Sequence, residues 1–148
     1  MKRNDQLSLT LHALVHMAEH GAPLTSEELA ACFVTNPVVV RRALSGLREA
    51  GIVSSGNGRG GGWALARPAS KINLLEVYSA LGAPGLFHVG PREASECLID
   101  QAVNEAMAPA FDEAAALIRR RLSQITLADI NGDFRKRRVA RKGKVHAR

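Results

Sequence analysis

At 148 residues, 46% of them hydrophobic, the chain is long enough for one folded domain and too apolar to remain disordered. It has no apolar run as long as a membrane span and no signal-like region at its start, so a soluble cytoplasmic protein is expected. Two cysteines, Cys32 and Cys97, are too few for a disulfide framework and fit a reducing compartment.

The net charge of +6 is unevenly spread. Residues 1–71 hold eight Lys/Arg against five Asp/Glu, residues 72–130 hold four against eight, and residues 131–148 hold eight against one. The first part is mildly basic, the middle is acidic, and the end, "FRKRRVARKGKVHAR", is strongly basic. A basic end of this kind is attracted to nucleic acid or anionic surfaces. Its plainer alternative is a solvated, disordered end that aids solubility.

In chain order, residues 3–20 predict a helix, with Leu7, Leu11, Leu14, Val15 and Ala18 at three- and four-residue spacing. Gly21 and Pro23 stop it. Thr25 or Ser26 caps a second, short helix that carries Glu27 and Glu28 in its first turn and turns Leu29, Ala30 and Phe33 inward. Cys32, just before Phe33, is expected in the core. Asn36 and Pro37 open a third helix, because Asn caps well and Pro suits the first helical position. Val40, Leu44 and Leu47 form its inner stripe, and Gly51 closes it with a left-handed residue. "IVSS" and "GWALA" then read as two strands of a hairpin around a glycine-rich loop.

Asn73 caps a fourth helix, with Glu76 three residues on as in a capping box. Leu74, Leu75, Val77, Tyr78 and Leu81 form its apolar side. Residues 82–92 read as a Gly/Pro loop. A long helix is expected over 93–124, kinked at Pro109, with Leu98, Ala102, Ala106, Ala110, Ala114, Leu117, Ile118, Leu122 and Ile125 along one side. "TLADI" adds a short helical turn.

The stretch "SSGNGRGGGW" raises two readings: a phosphate-cradling loop of a nucleotide site, or a turn that enters a nucleic-acid groove. A nucleotide loop follows a strand and opens a helix, with a Lys after its glycines. Here the loop joins two strands and no Lys follows. Helix, short helix, helix and hairpin in this order are those of a winged helix-turn-helix, in which the third helix reads DNA and the hairpin is the wing. The expected fold is therefore mainly α with a small β-hairpin: a winged helix-turn-helix domain plus a long C-terminal dimerisation helix. Ser26, Asn36, Val38, Arg41, Arg42, Ser45, Asn57, Arg59 and Gly60 are the candidate DNA contacts. Asn and Arg can read adenine and guanine edges bidentately, whereas Val meets a thymine methyl. Each also has a plainer reading as a solvated residue on the wet side of a core helix or at a hairpin tip.

"TNPVVVRRALSGLREAGIVSS", the glycine-rich wing ending "GGGW", "INLLEVYSAL", "CLIDQA" and "TLADI" together resemble the Rrf-two family of bacterial winged-helix transcription regulators, the IscR/NsrR/CymR group. The resemblance spans roughly residues 5–130. It implies a homodimer, formed by the long helix, on a palindromic operator. Cluster-binding members carry three closely spaced cysteines before or at that helix. Here Cys97 alone matches, so the chain resembles the cluster-less, YwnA-like branch and no cofactor is expected. Where many members have a wing Arg this chain has Asn57, and Arg59 falls where they often have Pro.

Three segments are thus expected: a DNA-binding domain over 1–71, a linker helix and dimerisation helix over 72–130, and a basic, disordered tail over 131–148. The partners are duplex DNA and a second copy of the chain, with no membrane. His12, His16 and His20 recur every four residues along one helix face, a spacing that can chelate a metal but lacks a further ligand. Cys97, at the start of the long helix, is a candidate redox sensor, or simply a small apolar residue. No nucleophile, acid–base or paired-carboxylate set stands out, so an enzyme has no positive support. The rival classes are a redox- or metal-responsive sensor acting through Cys97 or the histidines, and a winged-helix module that binds proteins instead of DNA.

Overall fold

The computed structural model describes residues 3–33, 35–58, 61–83 and 97–145. Six helices and one hairpin are present among them: α1 Arg3–His20, α2 Ser26–Phe33, α3 Pro37–Glu49, β1 Val53–Gly56, β2 Gly62–Leu65, a 3-10 turn Ala69–Lys71, α4 Leu74–Ala80, α5 Leu98–Gln124 and α6 Leu127–Val145.

Three of these helices start on reciprocal side-chain to backbone bonds. At α2 the Thr25 Oγ1 accepts from the Glu28 N–H at 3.1 Å, and the Glu28 carboxylate accepts from the Thr25 N–H at 2.7 Å. Thr25, not Ser26, is therefore the cap. Asn73 and Glu76 make the same exchange at α4, at 3.0 and 2.9 Å. Thr126 and Asp129 make it at α6, at 3.2 and 2.8 Å. Each cap satisfies amides that the first turn leaves without helical partners.

One apolar cluster joins the first five elements to the start of α6. Leu14, Leu29, Leu44, Leu47, Ile52, Ile72, Val77 and Leu127 are essentially solvent-free within it. Full burial of each such side chain is worth on the order of 1.5–3 kcal/mol. Leu127 reaches this core because the Leu127 N–H donates to Ile72 O and the Leu74 N–H donates to Ile125 O, at 2.8 and 2.9 Å. The joint between α5 and α6 is thus fastened to the entry of α4.

β1 and β2 pair antiparallel, with Ser55 opposite Trp63 and Gly56 opposite Gly62. Leu24 adds one residue to the outer edge of β2, exchanging two backbone bonds with Trp63 at 2.9 and 2.8 Å. Gly62 sits at φ 152° with Leu24 O only 2.8 Å from where a Cβ would be, so this approach needs glycine.

Several expectations are corrected. The innermost stripe of α1 is Thr10, Ala13, Leu14 and Met17, while Leu7, Leu11 and Val15 are only partly covered. The α1 helix is rotated so that Thr10 and Ala13 join Leu14 and Met17 on its inner side. Cys32 is exposed instead of buried, on the side of α2 away from the buried Ser26, Leu29 and Ala30. The side chain of Phe33 and the loop residues 84–92 lie outside the described residues. The long helix starts at Leu98, with Cys97 extended before it, and Pro109 lies inside it. Its first expected turn, 93–96, lies outside the described residues. "TLADI" is not a short turn: it leads into α6, which runs on through the basic residues to Val145. Arg, Lys and Ala are good helix formers once a cap has nucleated the first turn.

Candidate nucleic-acid interface

The third helix owes its orientation to its own sequence. Asn36 lies before it in extended conformation, and its Oδ1 accepts from the Val38 N–H at 2.8 Å. Pro37 takes the first helical position, where a missing N–H costs nothing. Val40, Leu44 and Leu47 point into the core. At 100° per residue, that leaves Val38, Arg41, Arg42 and Arg48 outward, and all four are exposed. Ser45 is half-buried. Val38 is 63% and Val39 40% exposed, an unusual placement for two valines on the first turn of a helix.

Neighbouring elements hold this helix at three places. Arg41 pairs with Glu27 on α2. Arg48 Nη1 donates to Ser55 Oγ on β1 at 3.4 Å. Gly46 lets α4 approach so closely that a Cβ there would stand 2.7 Å from Ala80 O. At its C-terminal end the Ile52 N–H returns to Leu47 O at 2.9 Å, with Gly51 at φ 67°, and the chain turns directly into β1.

The hairpin turn is built for tightness. Gly58 lies at φ 82°, and a Cβ on Gly61 would stand 2.4 Å from Gly56 O. Asn57 is exposed at this turn. Arg59 and Gly60, the other two candidate wing contacts, lie outside the described residues. The hairpin is anchored near its turn by Trp63, whose Nε1 donates to Ser26 Oγ at 2.9 Å.

The structure therefore gathers Asn36, Val38, Arg41 and Arg42 on the outer, N-terminal half of α3, and leaves Asn57 exposed on the adjoining hairpin. It turns Ser26 inward: the residue is 5% exposed and its hydroxyl holds the wing. The Asn36 Oδ1 is engaged in capping, which leaves its amide hydrogens to face outward. Arg42 forms no ion pair among the described residues, whereas Arg41 is held by Glu27. Two residues escaped the sequence reading. Val39 was signalled by "VVV", since three consecutive valines cannot all share one helix face. Glu27 gave no signal, as its partner lies far along the chain.

His12 and His16 stand side by side on α1, Nε2 to Nε2 at 3.1 Å. Partial burial, and then His16, push the His12 imidazole below its usual range. Among the described residues no three His, Cys, Asp or Glu are grouped to hold a metal. Cys97 is exposed, outside any disulfide, at the N-terminal end of α5. No described helix is long and apolar enough to cross a membrane. On α5 none of the residues is buried. Its barest apolar side chains are Leu98, Ile99, Val103, Met107 and Leu117, between 38% and 77% exposed. Ile99, Val103 and Met107, at four-residue intervals, are a line that the expected stripe through Ala102 and Ala106 missed.

Known proteins share this arrangement. The chain is 33% identical over 131 residues to YwnA of Bacillus subtilis (strain 168), provisionally assigned as an HTH-type transcriptional regulator; the match covers 86% of this chain and 95% of YwnA. A solved structure provisionally described as a DNA-binding protein superposes with a TM-score of 0.66 at 28% identity, over 84% of this chain and 97% of that one. A regulator structure from Lactobacillus plantarum superposes with a TM-score of 0.73 at 24% identity, over 97% and 98% of the two chains, and shows likeness of fold. The model of the Rrf2 family, described as iron-dependent transcriptional regulators, matches residues 3–133. With the fold, the capped third helix and the glycine hairpin in place, this chain belongs to the Rrf2 family.

Proposed function

We propose that this protein is a homodimeric, sequence-specific DNA-binding transcriptional regulator of the cytoplasm, acting as a repressor on a palindromic operator. The observation that carries the reading is the outer face of α3. Two exposed valines and two exposed arginines stand at the N-terminal half of a helix whose opposite side is locked in the core. That half is the part of a recognition helix that meets base edges in the major groove. Val38 and Val39 suit thymine methyls, Arg42 suits a guanine edge, and Arg41 suits a phosphate or a base once freed from Glu27. The hairpin, with Asn57 and the segment through Arg59 and Gly60, suits the neighbouring backbone or minor groove. Ser26 serves by placing the wing, and Ser45, half-buried one turn further along α3, suits a contact at the edge of the same face.

Dimerisation through α5 supports the operator symmetry, because an apolar line through Ile99, Val103 and Met107 is covered best by a second copy of itself. The two recognition helices would then stand about 34 Å apart, one turn of DNA. The family's description names iron, and the donor set here does not fit a cysteine-ligated cluster: Cys32 and Cys97 are the only thiols, and such a cluster takes four ligands. This favours the cluster-less, YwnA-like branch. Selection of bound sequences from a random duplex pool, with light scattering on the same sample, tests the proposal. Enrichment of an inverted repeat by a dimer is expected. A monomer, or a pool that enriches nothing, would favour a protein-binding module instead.

A second reading has one observation behind it. Cys97 is exposed at the N-terminal end of a 27-residue helix, where an oxidant can reach its thiol. If it senses oxidants, peroxide should change operator affinity in the intact chain and leave Cys97→Ser unaffected.

A further inference from the structure

The family match ends at residue 133, but α6 continues for twelve more residues. These residues, 134–145, contain seven Lys/Arg and no Asp/Glu. From Asp133 to Arg141 every residue is exposed, so no side of this half-helix is packed against the rest of the chain. A helix that is wet all round is not held by burial. Its like charges also lie at repelling positions, with Arg135 and Arg138 three apart and Arg137 and Arg141 four apart.

Among the described residues, one carboxylate of the folded domain answers this charge. Glu19, at the end of α1, accepts from Arg135 Nε at 2.6 Å and lies 3.7 Å from Arg138 Nη1. The hydrogen bond from Arg135 is the main reason its carboxyl is held below the ordinary range. Glu19 is only 16% exposed, which makes it a pinning point and not a floating counter-ion. Asp133 sits 3.7 Å from Lys136 within the same helix. Arg137 and Arg141 have no partner among the described residues. Past Arg138 the helix runs on for seven residues, about 10 Å. Its root at Glu19 is close in sequence to Leu24, which is bridged to Trp63 of the hairpin.

We propose that residues 134–145 form a fixed basic arm that neutralises phosphates of duplex DNA flanking the operator. The proposal rests on the operator-binding reading above and adds to it a second, sequence-blind contact. The anion must be extended and repeated, because the arm carries its charges along its length with no cavity to enclose a small ion. Duplex DNA is the polyanion that the same rigid unit already faces through α3. Held at Glu19, the arm delivers its charge to defined phosphates, in contrast to a floating tail whose contacts would be smeared.

The test compares three chains on a duplex selected from a random pool and carrying flanking sequence: the intact chain, a chain ended after Asp133, and R137E/R141E, which keeps the arm's length and its pin. Each phosphate neutralised contributes about 0.9 to the slope of log affinity against log salt. Removing the arm should make that slope shallower by about 3–4 per protomer, erase discrete hydroxyl-radical protection just outside the half-sites, and leave the selected sequence unchanged. R137E/R141E should lose much of the same slope. Equal slopes and footprints for all three chains would overturn the arm. So would diffuse protection with no preferred flanking position, or an arm-dependent attachment to phosphatidylserine vesicles with an unchanged DNA slope. An intact chain that selects no sequence overturns the operator reading itself; a chain that selects sequences but ignores loss of the arm overturns only the arm.

Discussion

The Trp63 indole N–H donates to the Ser26 hydroxyl at 2.9 Å, and through that bond strand β2 is set against the start of α2. Both partners are at least half-buried, so neither can exchange this bond freely for water. Trp63→Phe should therefore destabilise the fold by about 1 kcal/mol or more, and Ser26→Ala by a comparable amount. The double variant should lose less than the sum, as residues sharing one bond do. Urea unfolding of the four chains measures this. Full additivity would show that the bond contributes nothing.

Two helical glycines should respond oppositely to alanine. Alanine normally gains about 0.8–1 kcal/mol over glycine within a helix. At Gly132 nothing lies within 4 Å of the added methyl, so Gly132→Ala should raise the melting temperature. At Gly46 the methyl would stand 2.7 Å from the carbonyl oxygen of Ala80, a backbone atom that cannot swing aside. Overpacking of this kind costs about 1–3 kcal/mol, which outweighs the propensity gain. Gly46→Ala should lower the melting temperature by forcing α4 away from α3.

Stability should rise with pH through two windows. The Asn73 backbone, and then Arg67, hold the Glu76 carboxyl below its ordinary range. Its contribution is present above the unfolded value and is lost as pH falls through the folded one. Burial, followed by His16, lowers His12. Below about 6.5 the unfolded imidazole binds a proton that the folded one resists, so stability drops there as pH falls. His12→Gln should flatten the upper window and Glu76→Gln the lower. Unfolding free energies from pH 3 to 8 check both, and a His12→Gln profile parallel to the parent's would refute the upper assignment.

The exposed line on α5 should decide assembly. Val103 lies between Ile99 and Met107, each one helical turn away. Val103→Asp should turn a dimer into a monomer at micromolar concentration while leaving the helical circular-dichroism signal nearly unchanged, because Val103 is half exposed and lies outside the buried core. A stable dimer after this change would place the interface elsewhere.

Local features were the legible ones. Asn36, Gly51, Asn73 and Glu76 announce helix ends through chemistry that acts over four residues, and Val40, Leu44 and Leu47 announce a buried stripe by period alone. What failed depended on contacts distant in sequence. Ser26 is a plausible surface hydroxyl until Trp63, 37 residues on, is folded over it. Arg41 is a free cation until α2 brings Glu27 beside it. The line Ile99, Val103 and Met107 has no clear signal in the sequence, because alanines at 102, 106 and 110 fit an inner or an outer face equally well. The length of α6 has no signal in the charge of the basic end, although "TLAD" carries a cap whose Asp129 returns to Thr126.

The pair formed by Arg41 and Glu27 separates reading from holding. Both side chains are more than half exposed, so the pair itself is worth only about 0–1 kcal/mol and can open on contact with DNA. Arg42 has no such tie among the described residues. Arg42→Ala should cost about 1–3 kcal/mol on the selected duplex and relax preference at one base position, leaving the other positions intact. Glu27→Gln should act in the other direction. It frees Arg41 and removes a negative charge from the face, so binding to scrambled duplex should tighten and its salt slope steepen by about 1. In the Arg41→Ala background, Glu27→Gln should lose most of this gain, since the arginine it would free is gone. Binding curves for the four chains on selected and scrambled duplex, at two salt concentrations, decide it. If Glu27→Gln tightened scrambled binding equally with and without Arg41, Glu27 would act only through its own charge, and Arg41 would not be held in reserve for DNA.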